Sequence, residues 1–339
     1  MPKTKQIAIL GSGSWGNTLA CHFADEFDVL LWDYKDKRVE LRKQNREFDR
    51  PEKGIYPESV NFTSSIEEVL NFSDFIFNVV PLKGIPSLVE SIDTCLANSD
   101  LDLKSKVLIN CSKGIDLATL KTPAEIFQEF FKKQGLNIDI AAFAGPNLAR
   151  EVLAQKPMIA TIASENYELA KELQLKFSSD KIRLYSSNDL IGVEFCSALK
   201  NVIAIAAGAS DGLALGASTK ASLITRALNE LRELIRLKGG DEETLYTAAG
   251  LGDLIATCNS DLSRNYRVGY FMAQNMSLEE INKKLNSVAE GVNTAFALEE
   301  LNKTQNLRIP ICIEVAAMLK GTKSPREVAS SLMARELVY

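Results

Sequence analysis

Six residues near the start of the chain restrict its fold more than any others. Gln6–Leu10 is a short apolar run, Gly-Ser-Gly-Ser-Trp-Gly follows at once at 11–16, and Asn17–Ala24 reads as a helix. A G-x-G-x-x-G loop between a strand and a helix is the arrangement that seats a dinucleotide pyrophosphate. Gly11 permits the tight turn, Gly13 lets the backbone approach the phosphates, and Gly16 lets helix and strand pack closely. The helix N-terminus then faces the anion with its unpaired N–H groups. Ser12, Ser14 and Trp15 lie in the same loop and are assigned to the cofactor with the three glycines. A glycine-rich turn without a ligand is the alternative, and the flanking strand and helix argue against it.

The second strand, Asp28–Trp32, ends in Asp33-Tyr34-Lys35. An acid at the end of this strand accepts a ribose 2′-hydroxyl and favours NAD, while a base there favours the 2′-phosphate of NADP. Both are present, so the cofactor is NAD or NADP with the preference open. Tyr34 either covers the adenine or is an exposed loop aromatic. Residues 36–72 are charged and turn-rich, with helices expected at Lys37–Asn45 and Ile66–Leu70. Asp74–Val80, Lys106–Asn110, Ile138–Ala144, Met158–Ala163 and Lys181–Tyr185 read as strands, with helices at 148–154 and Tyr167–Phe177. Continuous apolar strands alternating with helices predict a parallel sheet buried on both faces. Two further candidates fall just after strand ends, where open parallel sheets bind ligands: Lys113, after Asn110, and Asn147, after Ala144. A solvated loop lysine and a helix N-cap are the plain readings of Lys113 and Asn147.

Past Ser187 strand signals stop. The expectation is an α/β, doubly wound dinucleotide-binding domain over 1–187 and an all-α substrate and catalytic domain over 188–339. Helices are expected over 189–209 and 217–237 and in several amphipathic segments between 277 and 337, with a loop at Asp211–Gly216. The first of these helices carries Gly-Val-Glu-Phe-Cys-Ser-Ala-Leu-Lys-Asn at 192–201, so Lys200 and Asn201 sit in an apolar run continuing to Ala207. A lysine so placed either snorkels to the surface or is desolvated, and desolvation lowers its pKa.

Composition narrows the chemistry. The chain has 339 residues, a net charge of -5 and one histidine, His22. No global basic field argues for nucleic acid. A zinc site built on several histidines is excluded. The six cysteines have no metal-ligand spacing and read as reduced thiols of a cytoplasmic protein. The N-terminus runs directly into a strand, so no signal peptide is expected, and no apolar run reaches the roughly 20 residues of a membrane span. A nicotinamide cofactor moves hydride at a carbon whose oxygen must gain or lose a proton. With no suitable histidine, the donor has to be Lys, Tyr, Glu or Asp, and Lys200 is the best placed. Asp253 opens a helix and shares a face with Thr257 at i+4. Arg264 beside Asn265 suits a phosphate or a carboxylate. Taken singly, Asp253 is an N-cap and Arg264 a surface ion pair; their clustering in an apolar domain favours a site.

These motifs resemble the NAD(P)-dependent glycerol-3-phosphate dehydrogenases of bacterial type. The resemblance runs through residues 11–16, 112–114, 145–147, 192–201, 211–213, 250–254, 257–258, 263–265 and 290–291. It implies reduction of dihydroxyacetone phosphate to sn-glycerol 3-phosphate for phospholipid synthesis, with Lys200 as general acid/base. It further implies substrate contacts from Lys113, Gly145, Asn147, Asn201, Asp253, Ser263, Arg264 and Asn265; Thr257 is grouped with them on the helix face it shares with Asp253. The implied cofactor contacts include Ser14, Trp15, Tyr34, Lys35, Lys113, Arg264 and Glu290. A homodimer is expected from the apolar helical domain. Bacterial members usually have Ser at 147 and a His-Arg type pair at 34–35, where this chain has Asn147 and Tyr34-Lys35.

Overall fold

The computed structural model describes residues 5–285 and 288–334. They divide into two compact units: residues up to Ser112 with Pro123–Phe143 and Asn147–Asn188, and Asp189 onward with Lys113–Thr122 and Ala144–Pro146. A single cut near 187 therefore misses two loops, both following strands of the sheet, that belong with the second unit.

The first unit contains β1 (Gln6–Leu10), α1 (Ser14–Phe23), β2 (Asp28–Trp32), α2 (Asp36–Asn45), β3 (Glu47–Phe48), β4 (Gly54–Ile55), β5 (Val60–Thr63), α3 (Ile66–Phe72) and β6 (Phe75–Asn78). It continues through α4 (Ile85–Asn98), β7 (Val107–Asn110), α5 (Pro123–Lys133), β8 (Asp139–Ala144), α6 (Ala149–Leu153), β9 (Met158–Ser164), α7 (Tyr167–Phe177) and β10 (Ile182–Ser187). Eight strands form one sheet in the order β10-β9-β8-β7-β6-β1-β2-β5. The pairs β1–β2, β1–β6, β2–β5, β6–β7, β7–β8 and β9–β10 are parallel. The direction of winding reverses between β1 and β6, so the loop after β1 opens at the switch point, where Rossmann-type sheets bind nucleotides. The core beneath is aromatic: Phe23, Phe77 and Phe177 are fully buried, with Phe177 5.0 Å from Phe77 and 5.5 Å from Phe23 by ring centroids.

Several elements escaped the sequence reading. Strand β5 and the β3–β4 hairpin lie in the stretch taken as turn-rich. They are only four and two residues long, too short for periodicity to register. Helices α4 and α5 were not placed. Helix α1 begins at Ser14 rather than Asn17 because Gly13, extended, is its N-cap. Helix α6 is capped by Leu148, so Asn147 is not its N-cap.

The second unit contains α8 (Leu190–Gly212), α9 (Ala217–Leu237), α10 (Asp253–Cys258), α11 (Arg264–Ala273), α12 (Leu278–Leu285), α13 (Glu290–Gln305), α14 (Pro310–Leu319) and α15 (Pro325–Met333). The helices expected through 277–337 are seen as far as residue 333; 335–337 lie outside the described residues. Helix α8 does not stop before Asp211 but runs 23 residues to Gly212. It is therefore long and apolar enough to cross a membrane, contrary to the sequence expectation, yet 94% of its most apolar window is buried inside the protein. It is the core strut of this unit. Helix α11 packs on it backbone to backbone: a Cβ on Gly269 would lie 1.8 Å from the Ile205 carbonyl oxygen, and one on Gly208 1.9 Å from that of Tyr266. Only glycine allows that approach, and it brings the start of α11 alongside the middle of α8. A buried carboxylate secures α14, since Glu230 accepts hydrogen bonds from the backbone N–H of Ile311 (2.6 Å) and Cys312 (3.1 Å). Burial raises the Glu230 pKa to about 7 against the opposing effect of those two N–H groups.

Candidate active site

In the first unit the site is a backbone cradle. Gly11 has φ +112, open only to glycine at low cost, and its Cβ position lies 3.1–3.2 Å from Val79 and Val80. A Cβ on Gly16 would sit 1.9 Å from the Gly11 carbonyl oxygen. Gly13 differs: nothing lies within 4 Å of its Cβ position. Helix α1 starts there without a side-chain cap. Open space beside uncapped helical N–H groups is what a pyrophosphate requires, so the chain's own residues fit a dinucleotide. Ser14 and Trp15 stand in the first turn, with the Trp15 ring 6.3 Å from Phe143.

The rim of the cradle is charged. Asp33, at the end of β2 and 1% exposed, accepts hydrogen bonds from Ser12 Oγ, the Lys35 N–H (3.0 Å), Arg38 Nη1 (3.0 Å) and Arg42 Nη1 (3.0 Å). Burial pushes its carboxyl upward, but Ser12, the Lys35 N–H and the two guanidiniums outweigh it and leave the pKa lowered. Tyr34 and Lys35 are exposed. The sequence reading missed Arg38 and Arg42. Their signal was their spacing of four on the helix after β2, one face aimed at one acid.

In the second unit the site is a buried ion cluster assembled from distant parts of the chain. Asp253, 2% exposed in the first turn of α10, has a different lysine on each carboxylate oxygen. Lys113 Nζ is 3.0 Å from Oδ2, and Lys200 Nζ forms a short ion pair with Oδ1. Asp253 is not an N-cap; Gly252 is. Thr257, one turn on, donates to the Asp253 carbonyl at 2.6 Å and fixes the turn bearing the carboxylate. The loop carrying Lys113 is tied to α13 through Ile115 N–H and Thr294 Oγ1, 3.4 Å apart. Gly145 is buried in this unit, and the adjacent Pro146 ring lies 3.6 Å from the Cβ position of Gly252. Burying an ion costs several kcal/mol on the order of magnitude even after relaxation, so two ammoniums on one carboxylate persist only because each is paired. The balance differs between them. Burial lowers Lys200, Asp253 opposes, and the neighbouring Lys113 lowers it further, leaving its pKa well below the usual lysine range. Burial lowers Lys113, but Asp253, the contact with Lys200 and Glu290 together outweigh it and leave its pKa raised. Asp253 is lowered: burial raises it, and the two lysines outweigh that.

Beside this cluster stands a polar rim. Asn201 follows Lys200 on α8 and is 4% exposed. Ser263 caps α11 by accepting from the Tyr266 N–H at 3.3 Å. Asn265 accepts from the Gly291 N–H at 2.9 Å, which joins α11 to the start of α13. A Cβ on Gly291 would fall 2.7 Å from the Asn201 carbonyl oxygen. Arg264 is exposed at the first position of α11. Glu290 is raised by burial, with Arg264, Lys113 and Lys200 pulling the other way. Of the residues assigned to substrate, all but Asn147 fall in this unit, as do Lys113, Arg264 and Glu290, assigned also to cofactor. Among the described residues no cluster of three or more His, Cys, Asp or Glu is placed to hold a metal ion.

Known proteins resemble this chain in sequence and fold. The family model described as the NAD-dependent glycerol-3-phosphate dehydrogenase N-terminus matches residues 6–170, and the corresponding C-terminus model matches 189–330. A glycerol-3-phosphate dehydrogenase (NAD(P)+) of Citrifermentans bemidjiense is 38% identical over 98% of both chains. One from Fusobacterium nucleatum is 37% identical over 98% of this chain and 97% of its own. The crystal structure of glycerol-3-phosphate dehydrogenase from Coxiella burnetii matches with TM-score 0.89 at 30% identity, covering 98% of this chain and 100% of that one. That of the Plasmodium falciparum enzyme matches at TM-score 0.85 with 22% identity, covering 99% and 97%, a likeness of fold.

Proposed function

We propose, from the premise that this chain belongs to the NAD-dependent glycerol-3-phosphate dehydrogenase family, that it reduces dihydroxyacetone phosphate to sn-glycerol 3-phosphate with NAD(P)H. The observation that carries the reading is the buried Lys113–Asp253–Lys200 cluster. When bound, the nicotinamide supplies hydride to the substrate carbonyl carbon. The chain supplies the proton and the binding. Lys200, its pKa lowered by burial and by Lys113, is the general acid that protonates the carbonyl oxygen and the base that removes that proton in the reverse direction. Asp253 holds the ammonium in place, with Thr257 fixing its turn. Lys113, whose charge is secured by Asp253, helps neutralise the substrate's anionic end.

Arg264 and Asn265 offer a guanidinium fork and an amide to the phosphate, with Ser263 and Asn201 adding polar contacts. Gly145 and Asn147 complete the substrate set. Gly11, Ser12, Gly13, Ser14, Trp15 and Gly16 hold the pyrophosphate, Asp33, Tyr34 and Lys35 border the adenosine end, and Glu290 joins Lys113 and Arg264 at the cofactor. The product serves phospholipid synthesis. Six free cysteines support a reducing, cytoplasmic setting, and the exposed Leu215, Leu237, Ile255 and Leu262 of the helical unit support a homodimer. The test is loss of reduced-nicotinamide absorbance with dihydroxyacetone phosphate, run in parallel with NADH and NADPH. Turnover with either supports the reading; no turnover with either, while a 2-keto acid is reduced, overturns it.

A further inference from the structure

Asp189, 9% exposed, stands directly ahead of α8. Its carboxylate grips two pieces of chain at once. Oδ1 accepts from the Gly192 N–H at 2.9 Å, which caps the first turn of α8. Oδ2 accepts from the Asp241 N–H at 3.0 Å and from Thr244 Oγ1 at 2.5 Å, both in the segment that leads into α10. Two glycines leave the room it needs. A Cβ on Gly192 would lie 1.8 Å from Oδ2, and one on Gly240 would lie 3.1 Å from Oδ1.

From Thr244 the tie runs to Asp253 through a compact stretch of backbone. Thr247 donates to the Thr244 carbonyl through its N–H (3.2 Å) and its Oγ1 (2.7 Å). The Gly252 N–H donates to the Thr247 carbonyl at 3.3 Å, and Asp253 is the next residue. Gly250 packs tightly into the same stretch: a Cβ there would fall 2.5 Å from the Thr244 carbonyl oxygen and 2.4 Å from that of Leu245. Lys200 lies about 16 Å along α8 from the cap. One carboxylate therefore holds both the start of the helix that bears Lys200 and the start of the segment that bears Asp253. An ion pair formed between two such elements is only as well placed as their shared anchor, and a misplacement of about 1 Å can cost about 10²-fold in rate.

We propose that Asp189 is a positioning residue for the reaction, acting through Thr244 to set α10 against α8 and so to seat Asp253 on Lys200. The proposal rests on the roles given to Lys200 and Asp253 above.

Steady-state kinetics of the full-length enzyme and its variants test it. Asp189→Asn leaves one acceptor where there were two and sets a donor against backbone N–H groups. Its kcat for dihydroxyacetone phosphate falls about 10- to 100-fold, while calorimetric affinity for the dinucleotide changes by less than about threefold. The limb of the pH profile that belongs to Lys200 moves lower, because the ammonium loses part of the stabilisation that Asp253 gives it. In an Asp253→Asn background the same substitution costs less than about threefold more, since the contact it positions is already gone. Thr244→Val cuts the tie and leaves the α8 cap whole; it lowers kcat about 3- to 10-fold, and Thr244→Ser, which keeps the hydroxyl, restores it. Glu230→Gln alters a buried carboxylate of the same unit whose helix, α14, carries none of the cluster, and kcat stays within about twofold. An unchanged kcat in Asp189→Asn, losses that multiply in the double variant, or equal losses in Thr244→Val and Thr244→Ser overturn the proposal, while turnover by the wild type leaves the family reaction standing. No turnover by the wild type with either NADH or NADPH overturns both.

Discussion

The glycine cradle of the first unit and the lysine–aspartate cluster of the second solve opposite problems. The cradle works by leaving things out: no side chain at Gly13, no room for one at Gly16, no cap on α1. Its chemistry is backbone N–H groups, contiguous in sequence and cheap to hold. The cluster works by putting things in: two ammoniums and a carboxylate, buried together and drawn from a loop after β7, the middle of α8 and the start of α10. Such a site is costly, and it persists only while every charge has its partner. Damage to the cradle should therefore appear first as lost stability or lost cofactor affinity. Damage to the cluster should appear as lost turnover.

The largest expected effect sharpens that contrast. Lys200→Ala lowers kcat by about 10²-fold or more, as loss of a general acid does, with cofactor affinity by calorimetry unchanged. A variant that turns over near the wild-type rate would remove Lys200 from the chemistry. Next come two substitutions three residues apart. Gly16→Ala drives a Cβ into the Gly11 carbonyl, and its thermal unfolding should show a loss of about 1–3 kcal/mol. Gly13→Ala meets open space, so its Tm should hold to within about 0.5 kcal/mol while dinucleotide affinity falls. Equal Tm losses in the two would contradict a cradle in which one glycine serves packing and the other the ligand.

These regions were also unequally legible in the sequence. The cradle could be read whole, because its residues are consecutive and lie between a strand and a helix that each announce themselves. The residues of the cluster could be named, and their clustering favoured a site although Asp253 taken singly read as an N-cap. No spacing reveals that one carboxylate takes Lys113 on one oxygen and Lys200 on the other across 140 and 53 residues of sequence. Asp33 shows the same limit in the first unit: its type and place suggested a ribose acceptor, while its partners Arg38 and Arg42 are visible only once α2 is folded against β2. The length of α8 was underestimated because Asp211-Gly212 looked like a break. In the folded unit Asp211 stays helical and accepts from Lys220 (2.7 Å) and Tyr266 (2.6 Å).

The smallest expected effect lies away from both sites. Glu230 is raised from 4.5 to about 7 in the folded protein, so between those values the native state holds a proton that the unfolded chain has released. Stability from this group is therefore present below pH 4.5 and is lost as pH rises through about 7. Glu230→Gln removes the charge and keeps an oxygen acceptor for only one of the Ile311 and Cys312 N–H groups, so it lowers Tm overall, and it should flatten the fall of Tm over that range by roughly a few degrees. An unchanged slope would place the Glu230 pKa near its ordinary value.

The most direct test of the cluster is the pH dependence of kcat/KM for dihydroxyacetone phosphate reduction. The account predicts that the limb belonging to Lys200 lies well below the roughly 10.4 of a free lysine. It also predicts that Asp253→Asn, which removes the carboxylate paired with both ammoniums, moves that limb lower still. A limb at the ordinary lysine value, or one that persists unchanged in the residual activity of Lys200→Ala, would contradict it.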